Sequence, residues 1–352
     1  MTDAEKVFTL ADLRAWTRAE PSFAVLGRPI AHSLSPKMHN AALDAAARER
    51  SAPELAARRY FRFEIAPEEL GEALPLFFEE NFLGLNLTIP HKVEALPLLK
   101  KISPEAAGIG AANTLARDDA LGGWRGENTD GSGFARAAEM SLGVKLAGTR
   151  VVLLGAGGAA RAIAATALAQ GCAELTIVNR SRDRAEALVR ALSGEATFQS
   201  LRENPSKEIS LNQASPSDKN VASPKISLNR IPASDKNVAS PKSGFPKISV
   251  LPPDEIRDFR AEGKTLVVNA TPLGLRPGDP SPFPPELFRE GFAAYDTTYG
   301  AHVPALVAAA RGRGVPAADG RAMLAWQGAL AFELWNGVPA ADVFPVMFAA
   351  LS

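Results

Sequence analysis

The sequence predicts an α/β protein whose parallel sheets are covered by helices, on three observations. Apolar strand-like runs alternate with helix-like segments, one strand ends in a glycine-rich turn that opens a helix, and a last, strongly apolar helix has no strand after it. A length of 352 residues argues for about two domains at roughly 150 residues each.

In chain order, Lys6 to Ala19 reads as a short amphipathic helix and Phe23 to Leu26 as a strand that ends at Gly27. Ser35-Pro36 marks an N-cap followed by proline at the first helical position, opening a helix that runs to about Arg50. Tyr60 to Ile65 alternates like a strand, Pro67 to Glu80 reads as a helix and Gly84 to Ile89 as a third strand. This βαβαβ order implies a parallel sheet. In the second half, Thr149 to Leu154 is an apolar strand, Gly155 to Ala160 a turn of small residues, Arg161 to Gln170 a helix and Glu174 to Val178 the next strand. Leu266 to Asn269 and Ala293 to Tyr295 follow as strands. The helix Met323 to Trp335, lacking a strand partner, is expected to pack back across the first domain.

Residues 198–250 interrupt this pattern. The stretch is rich in Ser, Pro, Asn and Lys, and Ser-Asp-Lys-Asn-Val-Ala-Ser-Pro-Lys stands at Ser217–Lys225 and again at Ser234–Lys242. Solenoids need about three copies of roughly 20 or more residues to stack a core, and this segment has too few apolar residues to offset its ordering entropy. It reads as a disordered or loosely structured insertion in a surface loop, where added length costs little closure entropy.

Composition excludes several classes of function. Lys plus Arg and Asp plus Glu number 39 each, for a net charge of zero. The basic excess of a nucleic-acid or membrane-surface binder is therefore missing. A single cysteine, Cys172, leaves no disulfide framework or four-cysteine metal site and fits a reducing compartment. The segment Met1 to Pro21 carries Asp3, Glu5, Asp12 and Glu20 and lacks the apolar core of a signal peptide. No run reaches the roughly 18 apolar residues of a membrane span, so the expected location is cytoplasmic.

The sharpest local signal is Val151-Val-Leu-Leu-Gly155-Ala156-Gly157-Gly158-Ala159-Ala160. Gly155 permits a tight turn, and Gly157 lets the backbone approach a pyrophosphate seated on the helix N-terminus. A tightly packed glycine turn with no ligand is the competing reading. After the next strand comes Asn179-Arg180-Ser181-Arg182-Asp183-Arg184. An NAD enzyme places Asp or Glu at this strand end, whereas a guanidinium pairs with a 2′-phosphate and favours NADP. Three arginines on a solvated helix start are the alternative.

The first half carries a different constellation. Ser33 and Ser35 precede a helix, and two hydroxyls beside a helix N-terminus make a neutral-donor site for a carboxylate. Ser35 by itself reads equally as an N-cap. Thr88 and Lys92, in Asn86-Leu-Thr88-Ile-Pro90-His91-Lys92, lie at the C-terminal end of a strand, where open α/β sheets bind ligands. Asp130, in Asn128-Thr129-Asp130-Gly131, is a candidate carboxylate partner or a helix N-cap. Hydride delivery to a ketone leaves negative charge on oxygen, and an ammonium held by a carboxylate stabilises that charge and then supplies a proton. Lys92 and Asp130 are the candidate pair.

Together with Gly110-Ala-Ala-Asn113-Thr114, Asn269-Ala-Thr271-Pro272-Leu-Gly274, Tyr295-Asp296-Thr-Thr-Tyr299 and Gly320-Arg-Ala-Met323-Leu324-Ala-Trp-Gln327, these motifs stand in the order of the shikimate dehydrogenase family, which the chain strongly resembles over residues 22–197 and 251–350. The resemblance implies reversible reduction of 3-dehydroshikimate to shikimate by NADPH, a step of chorismate and aromatic amino acid biosynthesis. It implies a substrate domain over 22–131 and 321–352, a Rossmann-like NADP domain over 132–320 interrupted by the insertion, and a C-terminal helix returning to the first domain. Residue by residue, Ser33 and Ser35 would hold the substrate carboxylate. Thr88, Asn113, Tyr299 and Gln327 would contact ring hydroxyls or the carboxylate. Lys92 would be the acid–base residue, with Asp130 bonding both it and the substrate. Gly155, Ala156, Gly157, Gly158, Ala159, Asn179, Arg180, Ser181 and Arg184 would bind NADP, with Thr297 and Gly320 near the nicotinamide. The chain departs from the family at Ala322, where glycine is common, and at Thr297, where a larger residue is common. No metal, nucleic acid or membrane partner is implied, and a monomer or homodimer is expected. The alternatives are a paralogue acting on quinate, perhaps with NAD, and a non-catalytic ligand-binding regulator on the same scaffold.

Overall fold

The computed structural model describes residues 6–49, 53–192, 246–261, 263–274 and 276–352. The first part builds β1 (Val7–Phe8), α1 (Leu10–Arg14), β2 (Ser22–Gly27), α2 (Ser35–Glu49), α3 (Pro53–Ala57), β3 (Arg59–Glu64), α4 (Leu70–Glu79), β4 (Phe82–Leu87), α5 (His91–Glu94), β5 (Lys101–Ile102), α6 (Pro104–Ile109), β6 (Thr114–Asp118) and β7 (Gly123–Glu127). Helix α7 (Asp130–Leu142) leads to β8 (Arg150–Leu154), α8 (Gly158–Ala169), β9 (Glu174–Val178), α9 (Arg182–Leu192), β10 (Lys247–Leu251), β11 (Thr265–Asn269), β12 (Phe292–Asp296), α10 (Ala305–Gly312) and β13 (Ala317–Ala318). Helices α11 (Arg321–Asn336) and α12 (Ala340–Ala349) close the chain.

Two sheets result. The first has seven strands in the order β1-β3-β2-β4-β6-β7-β5, the second six in the order β10-β9-β8-β11-β12-β13. Every pairing in the second sheet is parallel. Strand β2 is buried along its whole length, as expected of a strand with both faces covered. Its side chains alternate between two cores. Ala24 and Leu26 join Phe61, Phe63, Phe77 and Phe82 on one face. Phe23 and Val25 join Met38, Tyr60, Ala325, Ala329 and Phe332 on the other. Helix α11 starts in the second unit's core through Ala322 and Met323 and ends in the first unit's through Ala329 and Phe332. The expected return of the last apolar helix is thus observed.

Four readings change. The Lys6 to Ala19 segment is not one helix. The Thr9 and Asp12 side chains form a reciprocal capping box at the start of α1 and hold Thr9 extended, so Val7 and Phe8 precede the helix and pair with Arg62 and Phe63. Phe8 and Trp16 then join an aromatic cluster with Phe61 and Phe63, and the first unit therefore starts before residue 22. The first sheet is mixed, not parallel. Strands β6 and β7 form a hairpin that pairs antiparallel with β4, turning through Gly122 at φ 61°, and the polar motif residues along it hid its strands. Finally, Lys247–Leu251, all but its last residue placed inside the insertion by composition, is a strand in register with Glu174–Val178. It supplies one buried position in two, at Ser249 and Leu251, too few for an apolar run. The repeats themselves lie outside the described residues.

Candidate active site

Asn113, 2% exposed, is the centre of a polar cluster in which each side chain fixes the next. Its Nδ2 donates to Asp130 Oδ1 at 2.8 Å, to Thr129 Oγ1 at 3.0 Å and to Gln327 Oε1 at 3.3 Å. Its Oδ1 accepts the Thr129 amide at 2.7 Å. Asp130 opens α7, and its own amide donates to Asn128 Oδ1 at 3.1 Å. The other carboxylate oxygen, Oδ2, accepts from Lys92 Nζ at 2.5 Å. The side chains of Lys92 and Asp130 are 16% and 7% exposed, so the pair is largely out of solvent and its charges are weakly screened.

Local folding explains each placement. Strand β4 ends at Leu87, the Thr88 amide donates to Leu26 O, and the His91 amide donates to Thr88 O, closing the turn that opens α5. Buried His91 lies 2.9 Å from Ile65 O through Nε2, burial pulls its pKa below the usual value, and it anchors the helix on which Lys92 sits. Gly133 holds α7 against α11, because a Cβ there would stand 2.8 Å from the Gln327 amide nitrogen. The structure thus brings Lys92, Asn113, Asp130 and Gln327 together. Ser33 and Ser35 are adjacent at the start of α2, the Ser35 amide donating to Ser33 Oγ at 3.3 Å. Thr88 sits against Gly27, where a Cβ would meet its methyl at 2.3 Å. Tyr299, half-buried beyond β12, has its phenol pushed up by burial, but no described contact ties it to the cluster.

The glycine turn is built differently. Gly155 stands at φ 116°, and a Cβ on it would lie 2.8 Å from Ala270 O, so glycine is required there. A Cβ on Gly157 would meet nothing within 4 Å, which leaves room in front of the α8 N-terminus. One on Gly158 would come 3.3 Å from Lys92 Cδ, so this turn borders the Lys–Asp pair. Beyond β9, Asn179 Nδ2 donates to Ser181 O at 2.7 Å, and Ser181 Oγ accepts the Arg184 amide at 3.4 Å. Arg182 is engaged with Glu186 at 2.7 Å. Arg180 and Arg184 are exposed and make no ion pair among the described residues. A helix N-terminus whose glycine turn no side chain crowds, flanked by uncommitted guanidiniums, fits a dinucleotide carrying a 2′-phosphate. Gly320 packs so closely on the Thr297 carbonyl that a Cβ would stand 2.2 Å from it.

Sequence reasoning missed several contributors. Tyr60 and Asn86, on β3 and β4, hydrogen-bond each other in the buried core at 2.8 Å. Asp296, fully buried, accepts from Asn269 Nδ2 and from Thr298, and its carboxyl is pushed up by burial. Polar residues inside otherwise apolar strands were the available signal. No group of three or more His, Cys, Asp or Glu that could hold a metal occurs among the described residues.

The fold and site define a two-domain α/β oxidoreductase in which a dinucleotide turn borders a lysine–aspartate pair. Residues 25–115 match the family description "Shikimate dehydrogenase substrate binding domain", 136–209 match "Shikimate / quinate 5-dehydrogenase", and 320–344 match "Shikimate 5'-dehydrogenase C-terminal domain". A shikimate dehydrogenase (NADP(+)) from Moorella thermoacetica is 36% identical over 89% of this chain and 87% of its own. One from Xanthomonas campestris is 36% identical over 90% of each. The crystal structure of the Thermus thermophilus shikimate 5-dehydrogenase with NADP(H) and shikimate is 33% identical, with a TM-score of 0.66 over 94% of this chain and 99% of its own. The chain belongs to the shikimate dehydrogenase family.

Proposed function

We propose that this chain reduces 3-dehydroshikimate reversibly to shikimate with NADPH, and that Lys92 and Asp130 carry the proton chemistry. The observation that carries the reading is the buried Lys92 Nζ–Asp130 Oδ2 contact of 2.5 Å with the Gly158 turn against the Lys92 stem. The cofactor, when bound, would supply the hydride as NADPH or accept it as NADP+. Lys92 stabilises the negative charge that develops on the substrate oxygen and gives it a proton, and takes the proton back in the oxidative direction. Asp130 holds the ammonium in place through one oxygen and, through Asn113, stays aligned by the other. Ser33 and Ser35 receive the substrate carboxylate, and Thr88, Asn113, Gln327 and Tyr299 hold the ring hydroxyls or the carboxylate. The backbone of Gly155, Ala156, Gly157, Gly158 and Ala159 receives the pyrophosphate. Asn179, Arg180, Ser181 and Arg184 take the adenosine 2′-phosphate end, and Thr297 and Gly320 border the nicotinamide.

In this reading residues 132–320 form the NADP unit, and those before residue 132, with 321–352, form the substrate unit. No helix among the described residues is long and apolar enough to cross a membrane. The buried, free Cys172 agrees with a reducing compartment, and we place the enzyme in the cytoplasm as a monomer or homodimer. The test is absorbance at 340 nm with purified protein, shikimate or quinate, and NADP or NAD. NADPH production with shikimate supports the reading. Turnover mainly with quinate or NAD would move the chain to the other half of the shikimate/quinate description it matches, and no turnover with any pair would refute an enzymatic role.

A further inference from the structure

Strands β3 and β4 flank β2, so their side chains on one face stand about 10 Å apart. Tyr60 and Asn86 nevertheless meet across β2, because they pair with Phe23 and Val25 on the same face and the phenol is long enough to reach. The Tyr60 ring is held by a parallel stack on His39, with centroids 4.2 Å apart. Burial pulls His39 down to about 3, so the ring beneath the phenol is neutral at physiological pH.

From Tyr60 the hydrogen bonds run in a connected series. Asn86 Nδ2 donates to Asn113 O at 3.2 Å and Thr114 Oγ1 at 3.1 Å, which leaves Asn86 Oδ1 to accept the Tyr60 hydroxyl. Thr114 Oγ1, accepting from that amide nitrogen, reaches Asn113 Oδ1 at 3.0 Å with its one proton and stands 3.1 Å from Thr129 Oγ1, which can donate to it. With Asn113 Oδ1 taking both the Thr129 backbone amide at 2.7 Å and the Thr114 hydroxyl, Nδ2 points at Asp130 Oδ1, which leaves Oδ2 for Lys92. The phenol at the far end also faces Ser35. A one-way chain of hydrogen bonds thus runs from beside the serine pair, through the buried core, to the acid–base pair.

We propose that Thr114, Asn86 and Tyr60 are positioning residues that, together with the Thr129 backbone amide, hold the orientation of the Asn113 amide and so keep Asp130 facing Lys92. The proposal rests on the dehydrogenase reading given above. Chains of this kind polarise their members cooperatively, so one broken link weakens the whole. Thr114, Asn86 and Tyr60 all belong to the first sheet, whereas the glycine turn follows β8 of the second.

The test compares Thr114→Val, which keeps the shape and removes the hydroxyl, with Thr114→Ser, which restores it, in steady-state oxidation of shikimate by NADP. Thr114→Val is expected to lower kcat about tenfold with an unchanged KM for NADP, and Thr114→Ser to stay within about twofold of wild type. Thr114→Val with wild-type kcat overturns the proposal, as does Thr114→Ser impaired as much as Thr114→Val, since packing alone would then be at work. If Thr114→Val shows no cooperative melting, Tyr60→Phe tests the same chain from its other end. A kcat loss of about threefold is expected there, and an unchanged kcat overturns the proposal. A wild-type protein that turns over shikimate in these assays keeps the dehydrogenase reading intact whatever the variants do. A wild-type protein that does not removes that reading and the proposal with it.

Discussion

The side-chain amide of Asn113 is saturated by Thr114, Thr129, Asp130 and Gln327, whereas the backbone of Gly157, at the border of the same cleft, faces open space. One region is built from side chains that orient one another. The other is a backbone cradle with exposed arginines beside it. The contrast follows from what each must hold. A small ring with hydroxyls at fixed positions is selected by donors and acceptors set in advance, because a misplaced buried polar group costs about 1–3 kcal/mol. A phosphate is a diffuse anion that helix-end amides and flexible guanidiniums accommodate after it arrives.

If the side chains of the first region depend on one another, isosteric loss of its charge should do more damage than any change in the second. Asp130→Asn leaves the Lys92 ammonium largely buried without its anion, and kcat for shikimate oxidation is expected to fall about a hundredfold with an unchanged KM for NADP. A rise in the KM for NADP instead would show that the two regions are not separable.

A smaller and selective effect is expected in the second region. Arg180→Gln should raise the KM for NADP about tenfold while leaving kcat and any activity with NAD unchanged. Equal losses with both cofactors would mean that Arg180 does not read the 2′-phosphate.

The smallest effect concerns the seam between the regions. Glu105 at the start of α6 accepts from Ser132 Oγ on α7 at 3.3 Å, and burial raises its carboxyl from an ordinary 4.5 to about 7. The folded state thus keeps a proton that the unfolded state releases above about pH 4.5. Its contribution is full below that pH and is lost as pH rises to about 7. Thermal melting of wild type between pH 5 and 7 should therefore decline more steeply than that of Glu105→Gln, and parallel curves would contradict the assignment.

The same contrast explains what was legible in the sequence. The turn at Gly155 and the arginines after β9 are local, lying within about 30 residues of one βαβ unit, and pattern alone found them. Strand and helix periodicity likewise found β2, β3, β4 and α11. The Asn113 cluster joins Gln327 across 214 positions, and Tyr60 reaches Asn86 only because β2 lies between their strands. Spacing carries no record of such meetings, so Lys92 and Asp130 were recognisable as types but not as a contact. The β6–β7 hairpin was hidden because its ends carry the polar motif residues Asn113, Thr114 and Asn128. Strand β10 was hidden by its neighbours' composition.

The most direct test of the account is the rate of shikimate oxidation by Lys92→Ala with saturating NADP. The account predicts a kcat 10²–10⁴-fold below wild type, with cooperative melting and a KM for NADP unchanged. A Lys92→Ala protein with full turnover would contradict it, because the Lys92 ammonium would then not be needed at the substrate oxygen.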